Sequence, residues 1–564
     1  MKKTVFLLMS ILVLVSCTKD FITKNPLGVG SDVTWFDTEE QCRWAVNAIY
    51  DPLGWQATYS RTAEAFDMMS DEAEKGGNPA SADAYKSDQS GMYAMMLGNA
   101  SSLTGEIGRL WESYYVMIAR ANLMLEKTKD KDDIDAYKEM RAEARFLRAF
   151  AYMDLVKMFG PVPLVKEPIL PKDAASKGNR EYGDADAQVK AIYDYIIDEL
   201  IAIKGILPLR QPDTYFGRAT DAAVQAYLAK AYLYARDFPN AYATAEKLIN
   251  SEAKGLYGLE AKYHHVFHFD KIYDESSIKE IIFSIQHIPG EGGNASDRNG
   301  NNEGTIRVID QGPRVFVGAT GPGYGLVIPS KTLVDAFEVG DPRLDMIGKA
   351  AYTDNKGNAQ PADSIFWKGS ANAKGVWRKF GKNSYTTGNN TLKMFLNADV
   401  YYAAPKDQAQ GKDLILMRWA EVLLIGAEAA ARTNKDADAK KWVNEVRQRA
   451  RDSKCIQKDS TMALYKFADP GTWKIPADLS TVTLADVKKE RQLELFCENG
   501  TRYFDLVRWN ADGDAISADA IMSKITTDLV GETRTWIKGK HGVFPIPANQ
   551  IMLQKGSLVQ NNGY

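Results

Sequence analysis

Along the first two-fifths of the chain, apolar residues recur at intervals of three and four. Ile107, Leu110, Trp111, Tyr114, Tyr115 and Ile118 form one apolar stripe, which predicts an amphipathic helix. The same period runs from Met140 to Met158 and stops at Gly160-Pro161, a helix-ending pair. Ala187 to Ile203 predicts another helix, closed by Gly205 and Pro208. In the segment 226–249, Leu228, Ala229 and Tyr232 precede a turn at Arg236-Asp237-Phe238-Pro239, and Ala241, Ala245 and Leu248 follow it. Small residues at Ala229 and Ala241 allow two antiparallel helices to approach closely. Leu414 to Arg432 and Asp436 to Arg451 repeat that form around Thr433-Asn434-Lys435. Between these pairs the period is lost. Residues 255–405 are rich in Gly, Asn and Pro, with β-like runs such as Glu280-Ile281-Ile282-Phe283-Ser284-Ile285. His287 to Pro329 holds too much Gly and Asn for a long helix.

The segment 226–249 resembles a tetratricopeptide unit at its small and apolar positions. The long interval before the second pair argues against one regular solenoid. The expected fold is mostly α, a scaffold of tetratricopeptide-like helix pairs carrying a large loop-rich insertion with short strands. Loops on a rigid scaffold are where binding sites tend to lie. Length alone allows several domains, but the pattern is read as one domain, 35–564, with a helical part 35–254, the insertion 255–405 and a C-terminal part 406–564.

With 45% apolar and 25% charged residues, the chain is ordinary for a globular protein, and neither disordered nor collagen-like. The formal charge of -3 lacks the basic excess of a nucleic-acid binder. The 27 Tyr, 21 Phe and 11 Trp are enough to build a core and still leave an exposed aromatic platform.

The N-terminus indicates a compartment. Lys2 and Lys3 precede an apolar run from Val5 to Val15, broken only by Ser10. That run is too short to span a membrane and reads as the core of a secretory signal. It ends in Leu14-Val15-Ser16-Cys17, which resembles a bacterial lipobox, cut before the cysteine that carries the lipids. The expected products are a signal peptide, 1–16, and a lipidated tether, 17–34, that holds a soluble body at a membrane surface. Cys42, Cys455 and Cys497 allow at most one disulfide.

Several segments, in order, resemble the SusD/RagB family of outer-membrane nutrient-binding lipoproteins. They are the lipobox, Ser70-Asp71-Glu72, Met140 to Pro168, Glu280 to Gln286, Pro329 to Arg343, Leu414 to Ala429 and Glu490 to Trp509. The resemblance implies a fold built on four tetratricopeptide-like helix pairs and a place on the outer face of a Gram-negative outer membrane. It also implies a SusC-like TonB-dependent transporter as partner, capture of glycans or other nutrients, and no catalysis. Ligand residues of this family fall in variable loops, so no motif carries them over.

Glu490, Glu494 and Glu498 stand at i, i+4 and i+8. Paired carboxylates can serve a glycosidase, but the favoured reading is a structural face neutralised by Arg418, Arg491, Arg502 and Arg508. His264, His265 and His268 have the spacing of metal ligands without a third partner motif, and no metal is expected. Asp297 to Glu303 alternates oxygen ligands as a Ca²⁺ loop does, yet Asn302 and Val308 break the EF-hand pattern. A polar loop is the default there, and no cofactor is expected.

A pyranose has an apolar C–H face and a rim of hydroxyls, so it needs an aromatic platform beside polar side chains. Loop aromatics are the candidates: Trp55, Tyr59, Tyr85, Tyr93, Tyr324, Trp377 and Tyr385, with Arg298 and Asn299, and Trp367 close by. Trp111, Trp419, Trp442 and Trp509 are assigned to the core. An enzyme would place the Glu490 helix in an open cleft. A protein-binding scaffold would use a concave helical groove.

Overall fold

The computed structural model describes residues 36–564 apart from 78–81, 88, 132–133, 171–172, 268–276, 291–302, 354–358, 361, 368–375, 383–387, 397–400, 402–408, 454, 458–465 and 468–473. The signal, Cys17 and the tether lie outside these residues, as do Arg298, Asn299 and Tyr385.

Eight helices stack in chain order: α1 Glu39–Tyr50, α2 Gly105–Lys127, α3 Asp135–Phe159, α4 Ala185–Ile203, α5 Asp221–Tyr234, α6 Phe238–Lys247, α7 Trp419–Arg432 and α8 Asp436–Asp452. Each packs against the next, so α1–α2, α3–α4, α5–α6 and α7–α8 are the four expected helix pairs. Two further helices, α9 Leu484–Leu495 and α10 Thr501–Arg508, close the scaffold, with α9 against α7.

Local chemistry sets the ends. Thr38 caps α1 through a capping box with Gln41, and Thr220 caps α5 by accepting from the Ala223 amide. Asp237 caps α6, whose first turn holds Pro239. The α5–α6 and α7–α8 turns are each reversed by one left-handed residue, Arg236 (φ 62°) and Asn434 (φ 57°). Ala229 and Ala241 are fully buried where α5 meets α6. A Cβ on Gly426 of α7 would come within 3.0 Å of the Trp442 ring of α8, so glycine there lets the indole lie against the helix backbone. Trp111, Trp419, Trp442 and Trp509 are all buried, as expected.

The strands are short: β1 Ala73–Lys75, β2 Ile281–Ile285, β3 Val327–Pro329, β4 Ser364–Trp367, β5 Val376–Lys379 and β6 Leu414–Arg418. Antiparallel pairing joins β1 to β3, β2 to β6 and β4 to β5. The start of the predicted helix from Leu414 is corrected: Leu414 to Arg418 is strand, and helix begins at Trp419. A short apolar run has no period of its own, and β2 supplies the partner that decides it. β2 also carries Phe283 into the helical core, where its ring lies 5.2 Å from that of Phe146 on α3. The loop-rich segment therefore leaves the scaffold from a strand pair anchored in the core. Among the described residues, no helix is long and apolar enough to cross a membrane.

Candidate functional site

The carboxylates of the C-terminal signature are buried in an ion-pair network. Arg343 binds Glu490 at 2.6 Å and Asp341 at 2.8 Å, and Arg447 binds Glu490 at 2.8 Å. Arg418 bridges Glu280 at 2.7 Å, Glu494 at 2.6 Å and Glu498 at 2.8 Å. Arg449 also holds Glu280 and Glu494, and Lys393 holds Glu498 at 2.6 Å. Among the described residues this sets five carboxylates against five cations, and Arg447 also reaches a sixth, the half-exposed Glu338, at 2.9 Å. Burial alone would raise the Glu494 carboxyl, but Arg449, Arg418 and Arg343 outweigh it and hold it down to about 2. A general acid needs the opposite shift. Two sequence expectations are corrected. Only Glu490 and Glu494 lie on α9, because the helix ends at Leu495. Of the four expected arginines only Arg418 joins the network; Arg491 binds Asp505 at 2.6 Å, Arg502 binds Asp71 at 2.8 Å and Arg508 binds Glu428 at 2.6 Å.

His264 is buried in a short turn with its ring 5.8 Å from that of His265, and His268 is outside the described residues. Among the described residues no cluster of His, Cys, Asp or Glu is placed to hold a metal. Of the loop 297–303, only Glu303 is described. Cys42 and Cys497 are both buried free thiols; the Cys455 side chain is not among those described.

The predicted aromatic residues divide. Trp377, on β5, is 44% exposed. Tyr324 is half-buried, its amide donating to the Ile309 carbonyl at 2.7 Å. The two share one lobe. The Gly381 amide donates to Val315 at 3.0 Å and the Val317 amide to Lys379 at 2.9 Å, tying the loop 312–326 to the end of β5. Gly323 is required in that loop, since a Cβ there would lie 2.3 Å from the Gly312 backbone. Arg61 fastens the lobe to the scaffold through both oxygens of Asp310, at 2.7 and 2.8 Å.

Tyr59 and Tyr93 are corrections. Tyr59 is 6% exposed and donates to Asp154, which also accepts from Tyr114 at 2.6 Å. Tyr93 is 8% exposed in the helix Ser90–Leu97 and donates to Glu532 at 2.7 Å. Each hydroxyl finds a carboxylate distant in sequence, which makes burial of the ring favourable. Trp367 is buried too, its ring 5.4 Å from those of Phe395 and Tyr401. Tyr85 falls in the helix Ala82–Ser87, but its side chain is not among those described.

Trp55 follows α1. Its indole N–H donates to Asp51 at 3.1 Å, and the Arg120 guanidinium, 2.9 Å from Asp51, lies 5.7 Å from the ring centre. Asp51 also lines a cavity of about 560 Å³, walled by residues of 47–54, 216–218 and 284–288 together with Glu303. The sequence reading missed this cavity. Its walls come from segments far apart in the chain, and the local trace is Gly217, left-handed at φ +88°, where a Cβ would strike Gln286 at 2.3 Å. Burial, aided by nearby Arg307, lowers the pKa of His287 in the wall to about 4. The ring is neutral at pH 7.

Comparison with known proteins accords with this architecture. The model of the SusD family matches residues 279–564, just over half the chain. A second model, described as starch-binding associating with outer membrane, matches residues 32–233. SusD-like protein P2 of Formosa agariphila is 23% identical, over 98% of both chains. Starch-binding protein SusD of Bacteroides thetaiotaomicron is 25% identical, over 79% of this chain and 76% of that protein. Among solved structures, surface glycan-binding protein A from Bacteroides fluxus superposes with a TM-score of 0.69 at 24% identity, covering 93% of this chain and 100% of that one. Surface glycan-binding protein A from Bacteroides thetaiotaomicron, in complex with laminarihexaose, superposes with a TM-score of 0.67 at 23% identity, covering 93% and 99%. Helix pairs, the buried signature carboxylates and the matched models agree: the chain belongs to the SusD family.

Proposed function

We propose that this chain is a surface lipoprotein that binds glycans without cleaving them and delivers them to a SusC-like TonB-dependent transporter of the outer membrane. The observation that carries the reading is Trp377, 44% exposed on β5 of the lobe, with Tyr324 of the same lobe half-buried against the core. An exposed indole held on a paired strand is a preformed platform for a sugar face, and its two side-chain torsions make it cheap to order on binding. Family membership supports the same function, as does the relative in complex with laminarihexaose. The one paired-carboxylate motif weighed for glycoside cleavage is committed to the network around Arg343, Arg418 and Arg449. Lipid on Cys17 is the proposed anchor, and 17–34 the tether that leaves the body free to meet the transporter.

Isothermal calorimetry of the full-length chain in detergent, against a panel of plant, host and microbial polysaccharides, tests this. Saturable heat with no continuing signal is expected for at least one. Sustained heat flow would identify a hydrolase and overturn the non-catalytic reading. Silence across the panel would overturn glycan binding by this chain acting alone.

A further inference from the structure

We propose that the platform around Trp377 is selective for anionic glycans, those that carry uronate carboxylates or sulfate esters. The proposal rests on the glycan-binding reading and names the substrate class of that site.

Strand register builds the platform. Beyond β5 the chain pairs with the loop 312–326. The Val317 amide donates to Lys379 at 2.9 Å and the Gly381 amide to Val315 at 3.0 Å, which sets Phe316 opposite Phe380. Both phenylalanines are buried, with ring centres 5.8 Å apart, so their side of the pairing faces the core. Side chains alternate along a strand. Val317, Trp377 and Lys379 therefore fall on the opposite side, and all three are exposed. The indole and the valine methyls offer apolar surface to the C–H face of a pyranose. Lys379 stands two residues from Trp377, roughly 7 Å along the strand. Its long stem reaches a charged group on the rim of a ring stacked on the indole.

Charge decides the ligand class. The whole chain has a formal charge of -3, yet this lobe is positive. The next pair in the same register, Arg314 opposite Lys382, adds two cations, and Arg378 lies between Trp377 and Lys379 in sequence. Among the described residues, no carboxylate pairs with Arg314, Arg378, Lys379 or Lys382. Within 312–326 and 362–382 the one described carboxylate is Asp363, and Lys349 holds it at 2.8 Å. The adjoining segments 368–375 and 383–387 contain no Asp or Glu. A neutral sugar stacked here leaves these cations without a counter-charge. A carboxylate or sulfate on the same ring gains charge-assisted hydrogen bonds from them.

Calorimetry on the full-length chain in a polyoxyethylene detergent, with matched probes, tests this. Hexagalacturonate is set against its methyl ester, and carrageenan oligosaccharides against neutral agarose oligosaccharides. Laminarihexaose serves as a neutral reference, and poly-glutamate as a charged polymer without sugar. One acidic probe is expected to bind at least tenfold more tightly than its neutral counterpart, and which one does so distinguishes carboxylate from sulfate. Its affinity should fall at least tenfold between 0.1 M and 1 M NaCl, as the screening length shrinks from about 10 Å to about 3 Å. Lys379→Gln combined with Lys382→Gln should abolish the preference, and Trp377→Ala should weaken the same probe at least tenfold, each at an unchanged melting temperature. If a neutral probe binds as tightly as its acidic counterpart, the selectivity is overturned while the glycan reading stands. If poly-glutamate matches the acidic glycan, or if Trp377→Ala or the paired glutamines leave its binding unchanged, the platform is not the anionic site and the proposal is overturned. If no saccharide, acidic or neutral, gives heat, both readings fall together.

Discussion

Glu494 accepts from Arg418 at 2.6 Å and also from Arg449, with every partner buried. Removing one member of such a network leaves an uncompensated charge inside the protein, which costs about 3–5 kcal/mol. Glu494→Gln is expected to lower stability by that amount in urea unfolding, and Arg418→Met in the same chain to recover part of it. Acid reaches the same carboxylate. Its folded pKa is depressed to about 2, so its contribution is complete above the unfolded carboxyl value and is lost as pH falls toward 2. Four carboxyls between Glu64 and Glu74 work in the opposite direction, while Asp71 in the same segment is held low by Arg502. Burial pushes Asp67 up to about 6 and Glu74 to about 7, and raises Glu64 and Glu72 well above the usual carboxylate range. The folded state holds these protons, so the stability they lend is present at low pH and is lost as pH rises through 6 and 7. Thermal unfolding followed from pH 3 to 9 should show highest stability near pH 5, declining on both sides. A curve flat from 5 to 8 would contradict the burial of these carboxyls. The spacing of Glu490 and Glu494 is legible in the sequence, and so is their need for cations. The identity of those cations is legible only for Arg418, because Arg343, Arg447 and Arg449 arrive from segments that only the fold brings together. Tyr59 and Tyr93 misled for the same reason. Polar neighbours in sequence suggested loops, while Asp154 and Glu532 draw the hydroxyls inward.

At the level of elements, the helix pairs were legible because period, caps and small residues agree. Ala229 and Ala241 mark the close approach of α5 and α6 and are both fully buried. Ala229→Leu is expected to overpack that contact and cost about 1–3 kcal/mol, read as a lower urea midpoint with an unchanged slope. Ala229→Gly would separate overpacking from helix propensity, since it costs about 1 kcal/mol by propensity alone. The strand β6 was not legible. Leu414 to Arg418 adjoins the strongly helical Trp419 to Arg432, and its pairing with β2 depends on a segment more than a hundred residues earlier. The same strand pair explains why the lobe and the cavity were only partly foreseen. Single exposed aromatics such as Trp377 show as residues out of any helical period. A cavity walled by the end of α1, the 216–218 turn and the end of β2 leaves no comparable mark.

For the whole molecule, the proposed attachment to the membrane rests on a short stretch of chain. No described helix is long and apolar enough to span a bilayer. The proposed anchor is Cys17, immediately after the apolar run from Val5 to Val15. Each buried CH₂ of an acyl chain contributes about 0.8 kcal/mol, so one chain gives reversible binding and two or more give a stable anchor. In the lipobox reading Cys17 carries more than one chain, and its loss should be decisive. Cys17→Ala is expected to move the protein from the outer-membrane fraction to the soluble fraction of cells, without changing the melting temperature of the folded body or its affinity for glycan in solution. Trp377→Ala should do the reverse, weakening glycan binding about tenfold while the protein stays in the membrane fraction. The pair separates anchoring from capture. If Cys17→Ala remained membrane-bound after a wash in high salt and carbonate, a second membrane contact would have to exist on the body itself. Exposed Leu103, Met552 and Leu553 would be the place to look, since the Ala548 amide donates to the Ser102 carbonyl at 2.9 Å and brings those two segments side by side.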